Sequence, residues 1–90
     1  MNETAHIKFQ AEKAAHRIIT EQLCRFEPNA PDVVIDIRVA VNPITLLARC
    51  AADVSFQVRG KTYRYSLRSM KEIDDLRNIH MRALLTRDNK

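Results

Sequence analysis

Glycine and tryptophan are the residues that this chain most lacks: Gly60 is the only glycine, and tryptophan does not occur. A single glycine excludes the glycine-rich loops that bring a backbone close to nucleotide phosphates. Cysteine is scarce too. Cys24 and Cys50 form no CxxC pattern and no cysteine–histidine spacing, so neither a disulfide framework nor a metal site is expected. We expect both thiols to be reduced and structural.

Long apolar runs are also missing from the sequence. No stretch approaches the roughly 20 apolar residues that span a bilayer, and the start of the chain lacks the pattern of a secretory leader. The hydrophobic fraction of 46% is ordinary for a globular protein. We therefore expect one small domain over residues 1–90, located in the cytoplasm and without a membrane partner.

A strong excess of one charge is absent as well. The chain has 15 basic and 11 acidic residues, which gives a formal net charge of +4. Proteins that bind nucleic-acid backbones usually cluster their basic residues more strongly. The balance therefore permits DNA or RNA as a partner without requiring it.

Alternation of apolar and polar residues is the strongest positive signal. Between residues 44 and 58 every second residue is apolar, and polar residues such as Arg49, Asp53 and Gln57 lie between them. A period of two predicts a strand with one buried face, here over 44–58. Asn42 and Pro43 leave a second interpretation open, because they also suit the start of a short helix over 45–52.

Four further elements follow from periodicity and end signals. An apolar stripe at helical spacing predicts a helix over 4–26, and alternation predicts strands over 32–41 and 61–67. Ser69 and Glu72 form a capping-box pattern that begins a helix over 70–86. The expected fold is α+β: a two-layer α-β-β-β-α sandwich, with a three-stranded antiparallel meander and two helices on its apolar face.

The hairpin between the last two strands is expected at Gly60. A loop of Gly60 and Lys61 pairs Val58 with Tyr63 and Phe56 with Tyr65. Shifting this register by two residues keeps every side chain on the same face. The alternation therefore predicts which face of the sheet each side chain occupies, but it does not fix which residues pair across the hairpin.

A convincing catalytic arrangement is not found. His80 lies in the apolar stripe of the last helix, where it is either a pH-sensitive group or a partly buried residue with one hydrogen bond. Glu12 and His16 are one turn apart, as in some cation sites, but such pairs are usually solvated. No carboxylate pair or nucleophile with a base is evident. We therefore expect no enzymatic activity, no cofactor and no metal.

The polar face of the predicted sheet is the candidate binding surface. Arginines on this face suit phosphates, and they suit carboxylates on a protein equally well. Leu47 is the expected centre of a small apolar contact patch that also includes Val34, Ala40 and Ala51. The candidate binding residues are Arg38, Leu47, Arg49, Arg59, Lys61, Arg64 and Arg68.

Two functions are compatible with this surface. The first is a small interaction module, such as a regulator, adaptor or inhibitor, that binds another protein or a second copy of itself as a homodimer. The alternative is an accessory protein that contacts the phosphates of DNA or RNA through its arginines. Tyr63 and Tyr65 have the parity of the core face, which argues against stacking on single-stranded bases.

Two families resemble the chain in limited ways. The α-β-β-β-α order is similar to the double-stranded-RNA-binding fold, but acidic residues replace that family's lysines at the start of the last helix, over 69–75. The stretch 58–65, followed by the Ser69 cap, resembles the arm-binding domains of phage integrases, which read DNA with a three-stranded sheet. Both resemblances imply binding to nucleic acid, and neither is specific enough to indicate membership.

Overall fold

The computed structural model describes residues 3–30 and 32–88. Its three strands form one antiparallel sheet in the order β1-β2-β3, and the helices pack on the sheet. The predicted α+β class is therefore confirmed. The elements along the chain are α1 (Glu3–Phe26), β1 (Val34–Val41), β2 (Ala48–Val58), β3 (Lys61–Leu67), α2 (Met70–Asp74) and α3 (Leu76–Asp88).

Helix α1 follows the predicted stripe closely. Ala15, Ile19 and Leu23 are buried and recur every four residues, so they form one line along the helix. The N–H of Glu27 still donates to the carbonyl of Leu23 at 2.8 Å, and Pro28 then ends the helix. The buried residues lie in the second half of α1, so its first half extends past the densest part of the core.

The segment 42–47 corrects both predictions for this region. It is neither strand nor helix, and β2 begins at Ala48 instead of residue 44. The side-chain oxygen of Asn42 accepts from the N–H groups of Ile44 at 2.8 Å and Thr45 at 3.1 Å. The Leu46 N–H donates to the Asn42 carbonyl, and Leu46 has φ of 61°. The asparagine side chain thus replaces the ladder bonds of a strand.

The hairpin between β2 and β3 turns one residue earlier than predicted. Val58 pairs with Lys61, so Arg59 and Gly60 form the loop, with φ of 52° and 79°. Two successive positive φ values are the pattern of a type I′ turn, which matches the twist of the strands. Phe56 therefore pairs with Tyr63 and not with Tyr65. The shift is even, so each side chain keeps its predicted face.

The last predicted helix is broken into two. Ser69 caps α2 as expected, because its hydroxyl accepts from the Glu72 N–H at 3.2 Å. Asp75 then leaves helical geometry, with φ of −99° and ψ of 12°. Its carboxylate accepts from the Asn78 amide at 2.6 Å and lies 3.4 Å from the Arg82 guanidinium. Gln22 of α1 bridges this break, because its side-chain amide donates to the carbonyl of Ile73 and accepts from the Arg77 N–H at 3.0 Å.

The core lies under β2 and β3. On the inner face of β2 the residues from Cys50 to Phe56 at every second position are buried, against Ile19, Leu67 and Leu76. On β1 the corresponding residues are only half-buried. The sheet is therefore closed at one side and open at the other, in a molecule that measures 50 × 23 × 17 Å.

Candidate functional site

The outer face of the sheet is the surface on which the predicted binding residues are found. Within the described ranges the helices pack on the opposite face, and the outward side chains are exposed or half-buried. The register brings the following residues to this face: Val34, Asp36, Arg38 and Ala40 from β1; Arg49, Ala51, Asp53, Ser55 and Gln57 from β2; and Thr62, Arg64 and Ser66 from β3.

The middle of this outer face carries both charges. The Arg38 guanidinium lies 3.4 Å from the Asp53 carboxylate, and Asp36 lies directly opposite Asp53 in the register. Arg64 lies opposite Ser55 and lines a shallow depression with both aspartates. An exposed ion pair of this kind contributes at most about 1 kcal/mol to stability, but it neutralises Arg38 locally. The central arginines therefore do not form a uniformly basic strip.

The predicted basic residues are divided between the two ends of the sheet. Arg49 and Arg59 are ten residues apart along β2 and its turn, a distance of about 34 Å for an extended chain. Arg59 occupies the turn. Lys61 opens β3 with the parity of the inner face, so it lies beside Arg59 and not beside Arg49. The candidate basic residues thus form two separate groups at the ends of the sheet and a centre that carries both charges.

The hairpin tip, residues 42–47, presents a cluster of exposed apolar side chains. Ile44 is 89% exposed, Leu47 is 70% exposed and Leu46 is 36% exposed. The Asn42 N–H donates to the Leu47 carbonyl at 2.9 Å and closes the loop. Leu47 is therefore at the end of the sheet, beside Ala40, and not at the centre of the predicted apolar patch with Val34 and Ala51.

Two arginines flank this hairpin tip. Arg49 shares one shallow groove with Leu47 and Ala40, and a second groove with Arg68 and Met70. Neither arginine has an ion-pair partner within residues 3–30 and 32–88. The structure thus brings Leu47, Arg49 and Arg68 together as an apolar anchor with two basic neighbours.

A buried polar cluster around His80 was not found by sequence reasoning. His80 is 1% exposed, its Nδ1 lies 2.6 Å from the Tyr65 hydroxyl, and its Nε2 lies 3.1 Å from a Glu27 oxygen. The rings of Phe26 and Tyr63 flank it, with centroids 5.1 Å and 5.0 Å away. The predicted partly buried histidine with one hydrogen bond is therefore fully buried with two.

This cluster joins three elements of the fold. In the tautomer that carries its proton on Nε2, the imidazole donates to Glu27 and accepts from Tyr65, so both ring nitrogens have a partner. Glu27 follows α1, Tyr65 lies in β3 and His80 lies in α3. Periodicity can place His80 in an apolar stripe. Its partners Tyr65 and Glu27 lie 15 and 53 positions away along the chain, so no sequence pattern identifies them.

The two cysteines differ in environment. Cys50 is buried at the inner face of β2, and burial raises the pKa of its thiol. Cys24 is exposed on α1. Glu12 and His16 remain one turn apart on α1. Over the described part of the chain, no group of three or more histidine, cysteine or acidic residues is placed to hold a metal ion.

Two further results concern the chain as a whole. None of the helices in the described ranges combines the length and the apolar character needed to cross a membrane. Comparison of the chain with protein-family models, with curated proteins and with solved structures finds no match.

Proposed function

We propose that this chain is a small non-enzymatic protein-interaction module, a regulator, adaptor or inhibitor that binds through the outer face of its sheet and the adjoining hairpin tip. The observation that carries the proposal is the exposure of Ile44 and Leu47 on a loop with defined geometry. Exposed apolar groups that cluster on one feature commonly mark a contact site.

The hydrogen bonds within the hairpin tip support this proposal. Asn42 makes hydrogen bonds to Ile44, Thr45 and Leu47 through its side chain and backbone. A loop that is ordered before binding loses less conformational entropy when a partner docks, so more of its contact energy contributes to affinity. The hairpin tip is therefore suited to insert into an apolar pocket of another protein.

The charges around the hairpin tip support a protein partner over a nucleic acid. Arg49 and Arg68 border the apolar cluster, in the manner of the polar rim of an interface. Further along the face, Asp36 and Asp53 alternate with the arginines. A surface with both signs is complementary to another protein, whereas carboxylates repel phosphates.

Affinity purification from the cells that make the protein tests the proposal. The wild-type chain is compared with Leu47→Asp, and Leu85→Asp is the matched control because Leu85 on α3 is 62% exposed. We expect a defined protein to co-purify with the wild type and with Leu85→Asp, and to be lost with Leu47→Asp. Equal recovery with all three chains, or no specific protein with the wild type, would contradict the proposal.

Binding to DNA or RNA is the second candidate function. It is favoured by the absence of ion-pair partners for Arg49, Arg64 and Arg68 within the described ranges. Fluorescence anisotropy with a labelled duplex, at low and high salt, measures this activity. Phosphate contact predicts affinity that falls steeply with salt and is lost in Arg49→Glu and Arg64→Glu. Unchanged binding in both variants would eliminate this candidate.

A further inference from the structure

Strand β1 forms an edge of the sheet that is built for pairing. It pairs with β2 on one side only, so half of its backbone N–H and C=O groups point away from the sheet. Its sequence, VIDIRVAV, contains neither proline nor lysine, and its two charged residues, Asp36 and Arg38, have opposite signs. Five of the eight residues are valine or isoleucine, which have high strand propensity, and the edge that they form is unpaired.

The inner face of the same strand is incompletely covered. Ile35, Ile37, Val39 and Val41 are half-buried, although the β2 partners of the first three, Val54, Ala52 and Cys50, are buried. Beside them, α1 contributes a line of residues at helical spacing to two open grooves along β1: Phe9, Glu12, Lys13, His16, Thr20 and Cys24. Phe9 is 55% exposed in this position. The grooves beside β1 are therefore lined by both apolar and polar side chains, and they leave its inner face partly open.

The charges on β1 are complementary to a second copy of the same strand. In an antiparallel pair with Ile37 opposite its own copy, Asp36 lies opposite Arg38 of the second chain, and Arg38 lies opposite its Asp36. Ile35 then faces Val39. Opposite charges directly across a strand pair are stabilising, and like charges are destabilising.

Neighbouring registers lack this complementarity. Moving the centre of the pair to residue 36 places the two Asp36 side chains opposite one another. Moving it to residue 38 does the same for the two Arg38 side chains. The registers centred on residues 36, 37 and 38 all keep the apolar residues of both chains on one face, where they can be buried. Of these three registers, only the one centred on Ile37 avoids placing like charges opposite one another.

Asp36 gives a further reason for this register. Its cross-strand neighbour on β2 is another carboxylate, Asp53, and the Arg38 guanidinium is engaged with Asp53. Asp36 itself has no ion-pair partner within the described ranges. Arg38 of a second copy would supply the positive charge that Asp36 lacks.

We infer that the chain forms a symmetric homodimer in which two β1 edges pair antiparallel about Ile37, giving one six-stranded sheet. Since α1 contacts both β1 and β2, a strand spacing of about 4.8 Å places the two copies of α1 about 10 Å apart, which is a normal packing distance for helices. The two helices then cover the half-buried residues of β1. The dimer depends on the β1 edge, whereas the proposed function is tested at the hairpin tip with Leu47→Asp, so each experiment can fail without the other.

Cysteine cross-linking tests the register directly. In a chain with Cys24→Ser and Cys50→Ala, Ile37→Cys places the two new Cα atoms about 5 Å apart, within the range of a disulfide. Ile35→Cys is the matched control, on the same strand and face, with a separation of about 14 Å. We expect oxidation to yield covalent dimer with Ile37→Cys and little with Ile35→Cys. Equal yields at the two positions would overturn the inferred register.

Charge reversal supplies a second and independent test. Sedimentation of the wild-type chain is expected to give twice its mass of 10.4 kDa. Asp36→Arg or Arg38→Asp alone places like charges opposite one another twice per dimer, and is expected to weaken dimerisation about tenfold or more. The double variant restores opposite charges and is expected to recover most of the affinity. Arg77→Glu on α3 removes the same charge as Arg38→Asp and should leave the dimer unchanged.

The outcomes separate this inference from the proposed function. A wild-type chain that remains monomeric at all accessible concentrations overturns the dimer, as does a double variant that dimerises no better than the single variants. Leu47→Asp should leave the dimer intact, because the hairpin tip lies outside the β1 pairing. Circular dichroism confirms that each variant is folded before its mass is interpreted.

Discussion

Strands β2 and β3 on one side of the sheet and β1 on the other show the same alternation of apolar residues, but their apolar side chains are buried to different extents. Beneath β2 and β3, α1, α2 and α3 enclose Phe56, which is 1% exposed, together with the His80 cluster. Along β1 and the hairpin tip, side chains of equal hydrophobicity remain half-buried or exposed. An apolar stripe therefore predicts which side chains can be buried, and the position of the helices determines which of them are buried.

A phenylalanine-to-alanine change on each side gives the largest contrast. Phe56→Ala is expected to lower the free energy of unfolding by about 3–5 kcal/mol, because it leaves a cavity in a closed core. Phe9→Ala should change it by only about 0.5 kcal/mol, since Phe9 is more than half exposed. Urea denaturation at low protein concentration measures both. Similar losses for the two variants would contradict the division into a closed side and an open side.

Removal of the Tyr65 hydroxyl probes the polar cluster within the closed side. Tyr65→Phe leaves the Nδ1 of His80 without its partner at 2.6 Å, and should lower the free energy of unfolding by about 1–3 kcal/mol. Glu27→Gln is the control, because the amide oxygen can still accept from Nε2, and it should cost less. If the two variants were equally stable by urea denaturation, the assigned hydrogen bonds would be wrong.

The two thiols extend the comparison to reactivity. The raised pKa of Cys50 leaves less thiolate at a given pH, and burial also limits access, so its alkylation by iodoacetamide should be at least about tenfold slower than that of Cys24 at pH 8. Because the pKa is raised, the rate at Cys50 should still be rising with pH above 9. Mass spectrometry of the single variants Cys24→Ser and Cys50→Ser measures each rate. Equal rates would show that β2 opens readily at Cys50.

The turn between β2 and β3 offers the smallest effect. Arg59 has a positive φ, which costs energy for most residues and little for asparagine, so Arg59→Asn should raise the free energy of unfolding by about 0.5 kcal/mol. Gly60→Ala, in the same turn, should lower it by about 1 kcal/mol, because of its φ of 79° and not because of a clash. Changes of the same sign in both variants would argue against a type I′ turn.

Sequence patterns located the strands and their faces well, but not the contacts between them. Alternation over residues 48–58 placed Cys50 and Phe56 inward and Arg49 outward, and the structure agrees. The same alternation failed over 44–47, where the Asn42 side chain satisfies backbone N–H groups and removes the need for a strand partner. Pairing in the β2–β3 hairpin shifted by two residues, because hydrophobic parity cannot distinguish registers of equal facing.

The candidate site was predictable in its residue types and not in its arrangement. The outward parity of Arg38, Arg49 and Arg64 follows from the apolar residues between them. Their separation into a mixed centre and a basic end, and the ion pair between Arg38 and Asp53, depend on the register of β1 with β2. The exposure of Leu47 at the end of the sheet depends on the loop that precedes β2.

By itself the sequence determined the α+β class, the inner and outer faces of each strand, the Ser69 cap and the outward arginines, because these depend on spacing within about ten residues. The tertiary structure alone decided the break at Asp75, the partners of His80 and the uncovered edge of β1. Each of these depends on contacts between residues distant in the chain, or on how far a helix extends over the sheet. Local periodicity carries no information about either.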